Sequence, residues 1–470
     1  MGRLNSPEAD FGVAGIPDKS AKDQAELVSV ARNFFIFATL IVALAAPLIY
    51  HYNLRQSRIL FWSVGCAALV GWASSSIVRK RANLPSRDIG LTERFVENWG
   101  VLAIFVAFMA LYSTTMYAPT PFNAHVLQAY AFLHGHAWID LPNCCIEHAP
   151  YNGKFYQIHP PLPAILLLPF VAIWGNDTNQ TIASVTIAAL SVALAWLMLG
   201  RMKFTLNARV WLTIFFGAGT ILWHEAADGG SWDLTMVVAV AFTMAGLAEL
   251  FGDARPGIIG LTAGLAALAR YDLVLVWPIW TLLTYLKRPS LRELRWLAPG
   301  FVLAALIYVG FNEVRYGSFF DRTIVLFAPD VTQKFAIRYL PNNLYTLLFM
   351  APSLNSRFPY LHPEGGGQAL ILTSPAFLLA LRPSFRKLVP SALMVAAVIS
   401  IIPSLLYYSN GFVQFGTHHY VHAFPFLFAL VALGLPSGKT DQLTRVLIGY
   451  SVLLIAFGVW HIMIWGFGGG

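Results

Sequence analysis

Thr181-Ile-Ala-Ser-Val-Thr-Ile-Ala-Ala-Leu-Ser-Val-Ala-Leu-Ala-Trp-Leu-Met-Leu-Gly200 runs for twenty residues without a charge and is closed by Arg201-Met-Lys203. A helix of that length rises about 30 Å, the thickness of a bilayer's hydrocarbon core. The pattern recurs on both sides of it. Apolar stretches at about 34–51, 59–78, 98–116, 208–223, 232–251, 256–269, 272–286, 296–311, 368–381, 388–407, 420–435 and 445–466 bring the expected membrane helices to thirteen. The pair 256–269 and 272–286 is short enough to be a re-entrant hairpin. Composition agrees. Of 470 residues 57% are apolar and 11% charged, against roughly 25% charged in a soluble domain. Mean hydropathy is +0.61. Such a chain cannot cover itself with a polar shell, and the same composition excludes disorder. Three cysteines give no disulfide framework. The expected fold class is an all-α polytopic membrane protein.

Charge sets the expected orientation. With the N-terminus in the cytoplasm, 22 of the 31 Lys and Arg fall on the inner side, in clusters such as Arg79-Lys-Arg81 and Lys287-Arg288. That is the positive-inside pattern, with the C-terminus outside. Histidine played no part in that count, yet all twelve fall at or near the outer side. The net charge of +8 is therefore read as topology, and nucleic acid is not an expected partner, because the charges are dispersed over many loops. Residues 1–33 are expected to be a cytoplasmic tail, with no signal peptide before the first span. Residues 34–97 read as an accessory two-helix unit with a basic inner linker, and 98–470 as the functional module.

The stretch 117–180 is too polar to span and too apolar for a free loop. Phe122, Val126, Ala129 and Leu133 share one helical face, and a second helix opens after Pro160-Pro161 over 162–174. Both are expected to lie on the outer membrane surface. Between them stand Asp140, Glu147, Lys154 and His159. A second outer excursion, 312–368, carries Arg315, and a third, 408–419, carries Gln414, His418 and His419.

These pieces, in this order, resemble a family. Acidic residues, then Tyr151-Asn-Gly-Lys-Phe-Tyr156, then His159-Pro-Pro161 opening an apolar helix, are similar to the first outer loop of GT-C membrane glycosyltransferases. Among those are protein O-mannosyltransferases and the lipid A aminoarabinose and galacturonic acid transferases. Thr220-Ile-Leu-Trp223, Gly260-Leu-Thr-Ala-Gly-Leu-Ala-Ala-Leu-Ala-Arg270, Arg315-Tyr-Gly317 and Gln414-Phe-Gly416 resemble later elements of the same family, so the likeness covers roughly 98–435. One position departs. Where the family places an acid, this chain reads Asn123, which cannot act as a base.

The resemblance implies transfer of a sugar from a polyprenyl-phosphate donor to a lipid, glycan or protein acceptor at the extracytoplasmic face. The implied location is the bacterial inner membrane, with the active face periplasmic and membrane lipids as surroundings. The reaction needs a carboxylate to take the acceptor proton and cations to hold the leaving phosphate. Glu147 is the expected base and Asp140 a second acid or a turn cap. Tyr156 belongs to the loop motif. Lys154 and His159 face the phosphate or the acceptor, or Lys154 is a turn lysine after Gly153. Arg270 is a phosphate ligand or the partner of Asp272, and Arg315, Gln414, His418 and His419 are further substrate contacts. No cofactor and no metal site are assigned, although His418, His419 and His422 with Glu147 or Asp140 are a possible divalent-ion set of unrecognised spacing. His224, Glu225, Asp228 and Asp233 read as either an acceptor site or a wet loop. The competing expectation is a non-catalytic membrane protein, either a lipid or polymer translocator or an inactive relative, to which Asn123 points.

Overall fold

The computed structural model describes residues 89–116, 119–140, 148–323, 326, 334–354, 356, 360–363, 366–411, 414–435 and 438–465. Glu147, the tail 1–33 and the expected spans 34–51 and 59–78 lie outside them.

Helix dominates. In chain order come α1 (Ile89–Thr114), α2 (Ala124–Leu133), the strands β1 (His148–Tyr151) and β2 (Lys154–Gln157), α3 (Leu162–Trp174), α4 (Gln180–Arg201), α5 (Leu206–Ala218), α6 (Leu222–Asp228) and α7 (Ser231–Leu250). Then follow α8 (Pro256–Ala269), α9 (Trp277–Lys287), α10 (Ala298–Tyr316), α11 (Leu340–Leu348), α12 (Leu388–Leu405), α13 (Phe424–Leu433) and α14 (Gln442–Trp465).

Five helical runs are long and apolar enough to cross a bilayer: α4, α7, Leu291–Tyr316 ending in α10, α12 and α14. A sixth is α5 with α6, two pieces bent by 48°. The outward side chains of these helices are apolar, among them Leu190, Leu303, Leu306, Val395, Val398 and Leu453. Lipid accommodates such a surface and water does not. The chain is thus an all-α protein of membrane-spanning character. The described residues do not reach thirteen crossings. Three expected spans, 256–269, 272–286 and 420–435, are helices of 14, 11 and 10 residues, the latter two preceded by short 3₁₀ turns. The stretch 368–381 is two short turns, the second a 3₁₀ helix over Pro375–Leu381.

α7 runs through the middle. Its residues are buried nearly all round, which its uniformly apolar and small side chains permit. α4 and α8 pack along it. α8 in turn meets α10 backbone to backbone: a Cβ on Gly260 would lie 2.3 Å from the Leu297 carbonyl oxygen, and one on Gly264 2.5 Å from that of Gly300. Small residues four apart allow that approach.

Two chain reversals bring together the ends of these helices. At one end Arg201 meets Glu249, Thr205 Oγ1 donates to the Gly438 carbonyl, and Arg382 meets Asp441; we call it the arginine end. At the other, the histidine end, Gln180 Nε2 donates to the carbonyls of Phe122 and Gly229, and Arg315 reaches the Gln157 carbonyl.

The segment 119–180 caps the histidine end. α2 and α3 form as expected and pack on each other. α2 is enclosed by protein, however, with Ala124, His125, Val126, Gln128, Ala129 and Ala131 buried. Between them lies an antiparallel hairpin that is not among the elements expected from the sequence. It pairs His148 with Gln157 and Tyr151 with Lys154. Its turn is Asn152-Gly153, both at positive φ (48° and 72°), the geometry that Asn-Gly turns supply.

Candidate functional site

The turn between α6 and α7 builds the centre of the histidine end. Gly229 stops α6 with φ at 65°, and a Cβ there would lie 2.7 Å from Thr181 Cα. A Cβ on Gly230 would lie 2.7 Å from Asp233 Oδ2 and 3.3 Å from Asp228 Oδ2. Only this glycine pair lets α6 end and α7 begin so tightly that Asp228 and Asp233 face each other. Asp233 Oδ2 accepts the Gly230 N–H at 3.0 Å, the usual placement of an acid in the first turn of a helix. Glu225, one turn before Asp228 in α6, reaches Asp233 as well.

His418 closes the group. Ligand atoms of Glu225, Asp233 and His418 all lie within 4.8 Å of one another, and all three residues are buried. Neither Glu225 oxygen accepts a hydrogen bond from an N–H or hydroxyl donor among the described residues. No Lys or Arg pairs with Glu225, Asp228 or Asp233 there either. Carboxylates in contact cannot all be ionised without a proton or a cation between them.

His418 is placed by its loop. Its N–H donates to Gln414 Oε1 at 3.0 Å, and Gln414 Nε2 donates to the Asn410 and Gly366 carbonyls. Gly416 N–H donates to Gln368 Oε1, and Gln368 N–H returns to the Gly416 carbonyl. His419 meets His418 edge to face, with ring centroids 4.2 Å apart and the planes at 63°. Burial pushes both imidazoles down; for His419, with Arg270 and His422 adding to the effect, to about 3. For His418 the neighbours that add to it are His419, Arg270, His224 and His159, so all five groups share one region.

Arg270 follows the end of α8 in extended conformation, and its Nη2 donates to Asp272 Oδ2 at 2.7 Å. His422 Nε2 stands 3.4 Å from the same oxygen and 3.0 Å from the Ser400 carbonyl. Arg270 is partly exposed, and its Nη1 makes no hydrogen bond among the described residues. Asp272 is thus held between two groups, while one edge of the guanidinium stays open.

On the far side of the acids, His125 Nε2 lies 2.8 Å from the Ser231 carbonyl, and its Nδ1 2.8 Å from the amide Nε2 of Gln157. A carbonyl only accepts and an amide nitrogen only donates, so His125 is neutral with its proton on Nε2. Burial, and His159 at 5.4 Å, hold its pKa well below the usual imidazole value.

Of the residues singled out from the sequence, His159, Arg270, His418 and His419 are brought together. The others are not. Arg315 has no exposed side-chain surface. It donates to the Gln157 carbonyl, Thr323 and Asn312 and lies over Phe311 and Tyr316. It is a latch between α10 and the hairpin rather than a substrate contact. Gln414 has both ends of its amide engaged in its own loop and serves to present His418. Tyr156 packs against Tyr316 in an aromatic cluster. Lys154 sits 3.2 Å over the Trp138 ring, and the exposed Asp140 turns to His136 and Trp138. Glu225, Asp228 and Asp233, read as an acceptor site or a wet loop, are the buried centre.

Two open clefts, of about 260 Å³ beside Leu261, Trp296 and Leu303 and about 500 Å³ beside Arg382 and Asp441, belong to the arginine end. Asp228, His159, Arg270 and His419 are partly exposed. No family model, no curated protein and no solved structure matches the chain.

Proposed function

We propose that the protein is an integral-membrane glycosyltransferase of GT-C type, moving a sugar from a polyprenyl-phosphate donor to a lipid, glycan or protein acceptor at the extracytoplasmic face. The observation that carries this reading is the gathering of carboxylates, imidazoles and one open guanidinium at a single end of an apolar bundle. From that set the reaction needs a carboxylate and a cation. The acceptor oxygen attacks the anomeric carbon, a carboxylate takes its proton, and the bond from that carbon to phosphate breaks with the electron pair leaving on the phosphate. Arg270 offers its free edge to that phosphate. Asp228, the one partly exposed member of the buried acid group, is the described carboxylate placed to act as base; Glu147 keeps its expected role outside the described residues. The acid group also answers the departure at Asn123, since carboxylates from α6 and α7 supply what that position lacks.

The translocator reading draws no support from the helices. Among the described residues Glu225, Asp233 and Glu249 stand at helix ends, and no charged residue lies midway along a long helix, where a polar path would need one.

The test is direct. Purified protein is supplied with polyprenyl-phosphate sugars, and release of polyprenyl phosphate is followed. Release that is lost in Asp228→Asn and Arg270→Ala is the expected result. No release from any donor, or release unchanged in both variants, overturns the proposal.

A further inference from the structure

We infer that Glu225, Asp233 and His418 bind one divalent first-row transition-metal ion, of the Mn²⁺ or Zn²⁺ class. The site goes beyond sugar transfer and stands whether or not the chain transfers a sugar.

The three donors come from three elements, α6, α7 and the turn opening with His418, so their meeting is a product of the fold and not of sequence proximity. They converge within 4.8 Å. Metal–ligand bonds of about 2.1 Å place donor atoms roughly 3–4 Å apart, so an ion has to draw the widest pair together by about 1–2 Å. Glu225 gives the independent sign. It is fully buried, and neither oxygen meets an N–H or hydroxyl donor among the described residues; the side chain against it is another acid, Asp233. A buried carboxylate in that condition costs several kcal/mol unless something positive meets it. The protein meets its other buried acids with arginine: Glu249 has two guanidinium partners and Asp272 one. Here it offers an imidazole, held in position by Gln414.

Mixed oxygen and nitrogen donors choose the ion. Ca²⁺ and Mg²⁺ prefer all-oxygen shells, whereas carboxylate with imidazole suits Mn²⁺, Fe²⁺ and Zn²⁺. Three protein donors leave positions for water or a ligand oxygen, and Asp228, in contact with Asp233, lies beside them. The competing account is a proton shared between Glu225 and Asp233, which needs no ion and no His418.

The experiment uses the full chain in detergent, stripped with a chelator. Mn²⁺ is titrated with the loss of its free electron-spin-resonance signal as readout, and Zn²⁺, Ca²⁺ and Mg²⁺ by calorimetry. Expected is one Mn²⁺ or Zn²⁺ per chain, with affinity at least about tenfold weaker in His418→Ala and in the near-isosteric Glu225→Gln. If Glu225→Gln does not fold, His418→Ala decides alone. No binding at millimolar ion, binding undiminished by the variants, or a preference for Ca²⁺ or Mg²⁺ overturns the inference. Because the readout is the ion, a failed transferase assay leaves it standing.

Discussion

The two ends of the bundle treat their acidic side chains differently. At the arginine end, acids are neutralised one by one. Glu249 meets Arg255 at 2.7 Å and Arg201 at 3.3 Å, Glu293 meets Arg288 at 3.1 Å, and Asp441 meets Arg382 at 3.1 Å. At the histidine end Asp272 is likewise met by Arg270 at 2.7 Å, but Glu225, Asp228 and Asp233 are pressed together with imidazoles around them and, among the described residues, no guanidinium against them. The first arrangement is what a protein does to close loops. The second raises the energy of the folded state unless protons or a ligand enter, and such places are where chemistry is expected. The difference teaches that sidedness here is a matter of how charge is answered, not only of how much there is.

The strongest way to break that contrast is at the arginines. Arg270→Ala should lower polyprenyl-phosphate release per folded molecule at least about a hundredfold, and should also lower the melting temperature because it strips the buried Asp272 of its guanidinium. Arg201→Ala should lower the melting temperature and leave turnover per folded molecule unchanged. Equal effects in the two variants would erase the distinction.

The glycines that end helices give the next largest effect. Gly229→Ala meets both a positive φ and the backbone of Thr181, and should destabilise by roughly 3 kcal/mol. Gly438→Ala at the arginine end has a φ of 63° but only ordinary van der Waals contacts, its Cβ 3.4 Å from Phe204 Cα, and should cost only about 1 kcal/mol. Denaturation in detergent measures both.

Neutralising one glutamate at each end then sharpens the comparison by sign. Glu249→Gln leaves two guanidinium groups short of a partner and should destabilise by about 2 kcal/mol. Glu225→Gln in metal-free protein removes a like-charge contact and should stabilise by about 1 kcal/mol. Two destabilised variants would mean that the acid group is already fully compensated.

The smallest expected effect is in pH. His125 has its folded pKa depressed by burial below the usual imidazole value. The unfolded chain therefore binds a proton first as pH falls. Stability from this residue is complete above about pH 6.5 and is lost progressively below it, toward the lower folded value. Melting temperature followed from pH 7 to 5 should fall, and His125→Gln should flatten the slope by about 1 kcal/mol over that range.

Much of the helical framework is legible in the chain, because uncharged runs such as 181–200 and 234–248 have no other stable home. Single residues of the site are less so. Glu225 and Asp228 stand three apart, on one helical face, and Gly-Gly with Asp233 follows; that spacing marks a tight helix-to-helix turn lined with acids. The charge of the segment suggested a wet loop, and its burial comes from Thr181 and α2 closing over it, which is set by distant parts of the chain. Asn152-Gly153 announces the hairpin locally. Arg315 misleads because basic residues near helix ends usually reach for water. Phe311, Asn312, Arg315 and Tyr316 share one face, and only the hairpin laid across it shows that the face points inward. Gln414 and His418 depend on pairing with Gly366 and Gln368, nearly fifty residues earlier, and no local pattern encodes that.

Gln157 has a consequence of its own. Its side chain holds His125, which grips the first turn of α7, while its main-chain oxygen holds Arg315 at the end of α10. The hairpin is thereby bolted to two helices at once. Any substrate-driven hinge in this cap has to swing around Gln157 or break it. A label on the Asn152-Gly153 tip would accordingly report the position of α7's acids, and not merely the wandering of a surface turn.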